Sequence, residues 1–250
     1  MPTHATRIRA LAASFFVVLA ATGASVDDRV HESFASSPTV EVRLENVAGR
    51  ILVKPWDNST VDITAVKHAS NPDTLANMNV EISKEGAPAT WVRVRLRYDH
   101  RDPSGGSVDY TARVPRRAQL RVSTVNGAVI ADGFANDFTA NTVSGDVSAK
   151  GTDGNVKVNT VTGLIDVSVT HMSGRRVSLH SVSGAINLAI PRDSGASIKI
   201  SSLSGKFESD FPLPETSQVV GTSVKGRIGD GSGSIDLETV AGPLILKAAH

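Results

Sequence analysis

The chain has 250 residues, 26 basic (Lys+Arg) against 25 acidic (Asp+Glu), a formal net charge of +1, and no cysteine. A nearly neutral balance argues against a dedicated nucleic-acid binder. The absence of thiols excludes disulfides, thiolate zinc sites and lipid attachment at an N-terminal cysteine, so stability must come from the core.

Residues 1–24 read as a signal peptide. Arg7 and Arg9 precede an apolar run from Leu11 to Ala21, and the small residues Thr22-Gly23-Ala24 follow. The run is too short and too rich in alanine for a membrane span. Cleavage after Ala24 predicts an exported protein, periplasmic or at the cell surface, that is not an integral membrane protein once processed. Residues 25–39 are polar and read as a flexible lead-in.

The segment 40–53 is predicted to form a first coil. Around Gly49 stand Val42, Leu44, Val47, Ile51 and Val53, a spacing that returns downstream. An insertion, 54–119, follows, with strand candidates at Thr60–Val66, Met78–Ser83, Trp91–Tyr98 and Val108–Val114. Asn71-Pro72-Asp73-Thr74 has the form of an N-cap followed by proline at the first helical position. Ser104-Gly105-Gly106 marks a turn. These strands are expected to make an antiparallel sheet packed on the first coils.

The stretch 120–246 carries a repeated phrase: Thr-Val-Asn-Gly-Ala-Val at 124–129, Thr-Val-Ser-Gly-Asp-Val at 142–147, Thr-Val-Thr-Gly-Leu-Ile at 160–165 and Ser-Val-Ser-Gly-Ala-Ile at 181–186. It continues with Ser-Leu-Ser-Gly-Lys-Phe at 202–207, Ser-Val-Lys-Gly-Arg-Ile at 223–228 and Thr-Val-Ala-Gly-Pro-Leu at 239–244. A period near 20 rich in β-branched residues marks a stacked-coil architecture. With Gly49, the glycines Gly127, Gly145, Gly163, Gly184, Gly205, Gly226 and Gly242 are read as structural corners, where positive φ costs least. Apolar residues stand seven, five and two positions before the glycines and two after them, with Gly221 the exception five before Gly226. The odd step from five to two suggests a corner between them. Val161 is then expected to point inward and Asn159 to sit at a corner. The hydroxyl three before each glycine (Thr124, Thr142, Thr160, Ser181, Ser202, Ser223, Thr239) is read as a corner ladder bonded to backbone. The predicted fold is all-β: a single-chain parallel β-solenoid of about eight short coils with an antiparallel β insertion after the first.

No nucleophile elbow, phosphate-cradling loop or His-Glu-x-x-His is present. His31, His68, His100, His171 and His180 are not spaced as metal pairs. No metal site and no cofactor is predicted. The outward column three after the glycine holds Asp166 and Glu208 two coils apart with Asn187 between them, which does not suit a polysaccharide-cleaving carboxylate pair. Gly229-Asp230-Gly231-Ser232-Gly233-Ser234-Ile235-Asp236 is similar to a calcium loop but lacks its terminal glutamate; a turn is the alternative. Asn58-Ser59-Thr60 is a glycosylation sequon by pattern.

Candidate binding residues fall in the insertion. Every Trp and Tyr of the chain (Trp56, Trp91, Tyr98, Tyr110) lies there, and Arg93, Arg95 and Arg97 share one face of a strand. Trp56 and Tyr98 could offer a platform to sugars. The arginines could meet an anionic envelope polymer, or they could be a charged face that discourages edge aggregation.

The phrases Thr-Val-Asn-Gly, Thr-Val-Ser-Gly-Asp-Val and Ser-Val-Ser-Gly-Ala-Ile, with Val47-Ala48-Gly49-Arg50-Ile51, Tyr110-Thr111-Ala112-Arg113-Val114-Pro115 and Ile228-Gly229-Asp230-Gly231-Ser232-Gly233, resemble the bacterial putative-adhesin family, an exported domain of unknown function. The resemblance covers about 40–247. It implies a β-solenoid of the cell envelope with no established reaction. Lys225 and Ala241 replace the usual Ser or Thr before the glycine, which suggests that the final coils cap the stack. The resulting expectation is a non-enzymatic exported envelope protein, an adhesin or display module. Its partner would be envelope polymer or an envelope protein. The alternatives are a structural or signalling partner of an envelope protein, and a polysaccharide-active β-helix enzyme.

Overall fold

Each repeat lays down two strands, and alternation of side chains decides what each strand buries. The computed structural model describes residues 26–99, 105–213, 216–217 and 221–249; the expected signal peptide and Ser104 of the expected turn lie outside them. The first part of the chain contains β1 (Val26–Glu45), β2 (Ile51–Trp56), β3 (Thr60–Ala69), helix α1 (Pro72–Ala76), β4 (Met78–Gly86), β5 (Ala89–Tyr98) and β6 (Gly106–Pro115). The repeats follow as pairs: β7 (Gln119–Asn126) with β8 (Val129–Ala131), β9 (Phe138–Ser144) with β10 (Val147–Thr152), and β11 (Val156–Thr162) with β12 (Ile165–Val169). Next come β13 (Arg176–Ser183) with β14 (Ile186–Pro191) and β15 (Ala196–Ser204) with β16 (Phe207–Ser209). After β17 (Thr216–Ser217) and β18 (Thr222–Ile228) the last pair is β19 (Gly233–Ala241) with β20 (Leu244–Ala249).

The first strands of the pairs stack in parallel as one wall and the second strands as the other. Leu120, Phe138, Val156, Val177, Ile235 and Ile198 stand in register along the first wall, followed by Val122, Ala140, Val158, Leu179, Leu237 and Ile200. All of them are buried. Val129, Val147, Ile165, Ile186 and Leu244 face them from the second wall. The protein is thus a β-solenoid with an aliphatic centre.

The predicted corner between the fifth and second positions before the glycine does not exist. Each first strand runs straight to the residue before the glycine, so strict alternation puts the hydroxyl, not the aliphatic, inside. Thr124, Thr142, Thr160, Ser181, Ser202 and Thr239 are buried, and Val161 is exposed. Nor do the hydroxyls form a bonded ladder. Thr160 Oγ1 donates to the carbonyl of Thr162 at 3.0 Å, while the hydroxyls of Thr124, Thr142, Ser181, Ser202 and Thr239 have no partner.

The corner glycines pack against one another. Gly163 has φ +133°, and a Cβ built on it would run into the carbonyl of Gly145 in the adjoining coil. Gly49, Gly127, Gly145, Gly184, Gly205 and Gly242 likewise occupy corners. Gly226 does not. It lies within β18, opposite Ile198 of β15 in an antiparallel pair.

Both ends of the stack depart from chain order. β19/β20 is wedged between β13/β14 and β15/β16, so the last coil in sequence is internal rather than capping. The cap is β18, antiparallel on β15. At the other end, β5 and β6 pair in parallel with β1 and β2, and β7/β8 covers the opposite side of β1/β2. The insertion is therefore not a decoration. It supplies the outermost rung of eight, closed by β4 antiparallel on β5 and β3 antiparallel on β6. Residues 26–39 of the expected flexible lead-in belong to β1, whose first half pairs antiparallel with β3 from Val26↔Ala69 to Ala35↔Thr60. The helix cap is as expected: the Thr74 backbone N–H donates to Asn71 Oδ1 at 2.8 Å.

Candidate binding surfaces

The Arg-x-Arg-x-Arg run sets three guanidiniums on the outer face of β5, but glutamates on both neighbouring strands already occupy them. Arg93 Nε and Nη2 donate to Glu45 of β1 at 2.8 and 2.7 Å. Arg95 Nε donates to Glu81 Oε2 of β4 at 2.8 Å, and Arg97 Nη1 to Glu81 Oε1 at 3.2 Å. Glu41 takes Arg43 and Arg121 at 2.8 and 2.9 Å. The hydrogen bond from Arg95 holds the Glu81 carboxyl below the usual glutamate range against some desolvation. In Glu41 desolvation is the largest influence and pushes upward, yet the two arginines together bring the carboxyl down. The Glu45 hydrogen bond raises Arg93. Five arginines share three glutamates here, so each guanidinium of the β5 face already has a carboxylate partner and a polymer must compete with Glu45 and Glu81 for it.

Trp56 and Tyr98, the aromatics offered as a sugar platform, lie apart from this face. Tyr98 has the parity of Val92 and Val94 and packs against the core; burial pushes its phenol up. The same cause acts more strongly on Tyr110, which is fully buried. Both help fill the end rung, Tyr98 partly and Tyr110 fully buried. Trp56 lies on the other wall, its Nε1 donating to the Thr60 carbonyl at 2.8 Å, with the Arg113 guanidinium 5.9 Å from the ring centroid.

The alternation error conceals a different surface. Val125, Val143, Val161, Val182, Val240 and Leu203 are 43–57 % exposed, and they are the exposed large hydrophobic side chains among the described residues. Flanking registers (Thr124↔Thr142↔Thr160↔Ser181↔Thr239↔Ser202) place them in one column, one per rung. At the usual strand spacing the column runs roughly 24 Å. Nothing in the coil demands an aliphatic there. The outward column two residues earlier holds Ser123, Asn141, Asn159, His180, Glu238 and Ser201 on the same strands. The signal was legible in sequence: a hydroxyl between two outward positions fixes their parity once the strand is taken as straight.

Catalytic arrangements are not favoured. Because β20 intervenes, Asp166 and Glu208 stand three rungs apart, with Asn187 and Ile245 between them. Ser178 and His180 share a hydrogen bond of 3.0 Å on the outer wall. His171 pairs with Asp153 at 3.0 Å. Asp230 accepts from the backbone N–H of Ser232 at 3.0 Å, a bond that lowers its carboxyl and makes the loop a local turn. Among the described residues no group of three or more His, Asp or Glu could hold a metal ion, and no helix is long and apolar enough to cross a membrane.

A family model described as Toastrack DUF4097 matches residues 106–246. No curated protein matches the chain. Among solved structures, a putative cell adhesion protein from Clostridium sporogenes is similar at 10 % identity and TM-score 0.47, covering 89 % of this chain and 100 % of its own. A putative adhesin from Bacteroides fragilis is similar at 11 % identity and TM-score 0.46, covering 88 % of this chain and 97 % of its own.

Proposed function

The chain belongs to the Toastrack DUF4097 family, and from that premise we propose that it is a non-enzymatic binding or display module of the cell envelope, an adhesin in the broad sense, working through its aliphatic ridge. The observation that carries this reading is the single column of exposed Val and Leu. Contiguous apolar surface on a soluble protein marks a contact site far more often than scattered apolar residues do. The ion-paired arginines support the same choice, because their guanidiniums already donate to Glu45 and Glu81 and offer an anionic polymer less than free ones would.

The test is retention on purified envelope fractions. Changing Val143, Val161 and Val182 together to Ser is expected to reduce retention at least about tenfold, the scale of a few lost apolar contacts. Changing Arg93, Arg95 and Arg97 together to Gln is expected to leave it within about twofold. Equal retention of parent and ridge variant would overturn the ridge as the contact surface. If the arginine variant alone lost retention, and the parent's retention fell with salt, the site would move to β5.

A further inference from the structure

We infer that the partner of the ridge is a second copy of this chain, two solenoids meeting ridge to ridge about a two-fold axis. The inference rests on the reading of the ridge as a contact surface and names what covers it.

The first argument is geometric. The ridge is one side chain wide and repeats once per rung, so its knobs and gaps follow the spacing of paired strands, about 4.8 Å. A second row with the same step interdigitates with it along its whole length, as like rows of side chains do between mated sheets. Another copy supplies such a row without further requirement, and an isologous contact closes after two subunits.

The second argument concerns charge. The columns beside the ridge are almost entirely uncharged. Before the glycine stand Asn126, Ser144, Thr162, Ser183, Ala241 and Ser204, and on the strand side Ser123, Asn141, Asn159, His180, Glu238 and Ser201. Asp146 at the corner is already engaged, accepting from the Leu164 backbone N–H at 2.8 Å. A formal net charge of +1 gives two copies no reason to repel.

Area sets the strength. Six side chains about half exposed offer roughly 400 Å² of apolar surface, the size of the largest patch on an ordinary monomer. With the polar columns, two facing copies cover about 1,000 Å² in total, at the lower edge of specific interfaces. The dimer is therefore reversible rather than permanent.

Sedimentation velocity on the purified protein over a roughly hundredfold concentration range should show the average mass rising from one subunit toward two, as mass action requires. The variant with Val143, Val161 and Val182 changed to Ser should remain monomeric with an unchanged melting curve, since these side chains do not support the coil. A parent whose mass ignores concentration overturns the inference. Orientation-independent confirmation comes from the cysteine-free background. Val161→Cys, near the middle of the ridge, should give a disulfide-linked dimer on mild oxidation, and Lys247→Cys on the opposite wall should not; equal yields from both overturn it. Sedimentation uses the protein alone, so the two readings can fail separately. A monomeric parent whose envelope retention needs the ridge removes the second copy and keeps the binding module. A ridge-dependent dimer that retains nothing from the envelope does the reverse.

Discussion

The rungs β7/β8 to β13/β14 and the end rung β5/β6 solve one problem under different constraints. An internal rung has a neighbour on each side at strand spacing, so its corner must be glycine, stacked beneath the glycine above, and its interior takes Val, Ile, Leu, the occasional Ala or Phe, and one small hydroxyl residue beside the corner. The end rung has one parallel neighbour and one antiparallel cap. Its connection at 99–105 carries none of the repeat's corner phrase, its interior holds Tyr110 and Tyr98, and its outer face is laced with Arg–Glu pairs shared with β1 and β4. The other end rung, β15/β16, also has one parallel neighbour and an antiparallel cap but keeps the phrase and its corner at Gly205. Periodicity in the sequence therefore records the glycine corner, not membership of the stack.

Removing what only the end rung supplies should have the largest effect. Replacing residues 57–113 by a short turn takes away β5 and β6 and uncovers the flanks of β1 and β2, an open template for pairing with other chains. The expected outcome is aggregation, read by light scattering during refolding; a soluble, cooperatively melting product would make the insertion a decoration after all. Next comes Val158→Asp, an unpaired carboxylate in the aliphatic centre, expected to cost about 4 kcal/mol or more. Val161→Asp, three residues on but outside, should cost less than about 1 kcal/mol. Equal losses in denaturant melts would restore the discarded corner.

Gly163→Val forces a β-branched residue to positive φ and against a neighbouring carbonyl, and should cost about 3–4 kcal/mol. Gly226→Val, in an antiparallel cap strand, should cost less than about 1 kcal/mol. Similar thermal shifts for both would return Gly226 to the corners. Thr142→Val changes sign. Its buried hydroxyl has no partner, so an isosteric methyl should stabilise by about 1 kcal/mol, more than Thr160→Val, whose hydroxyl bonds Thr162.

The smallest effect belongs to the end rung's charges. Arg95→Gln should cost at most about 0.5 kcal/mol, because the pair with Glu81 is more than a third exposed. Since Arg95 depresses the Glu81 carboxyl in the folded state, its contribution is present above the ordinary glutamate value and disappears as pH falls through the depressed one. Parent and variant should therefore differ at neutral pH and converge in acid; a gap that widened in acid would contradict the assignment.

Much of this fold could be read from residues. The period, seven of the eight proposed corner glycines, the four insertion strands and the Asn71 cap are local features, each set by a residue's own backbone preference or a partner three positions away. The inside–outside sense of Val161 and its equivalents was missed because valine has the same hydropathy on either face. The true marker was the hydroxyl between outward residues, which occupies an interior place that composition would give to an aliphatic. Order of stacking was invisible for a different reason. β19 carries the same Ile235, Leu237 and Thr239 template as its neighbours, and nothing in a template states which copy lies next to it. The ion pairs of Arg93, Arg95 and Arg97 depend on that same order, since Glu45 and Glu81 come from strands on either side.

The exchange of β19/β20 into the interior of the stack bears on how the chain is made. A solenoid assembled in step with its emergence from the ribosome or an export channel would add rungs one after another. Here β15/β16 reaches its final place only when a segment some thirty residues further along has slid in beneath it. Until then β13 presents a bare pairing edge that β15, with the matching template, could occupy prematurely. The terminal segment therefore acts as a keystone: the far end of the solenoid is finished only when the last strand has been delivered.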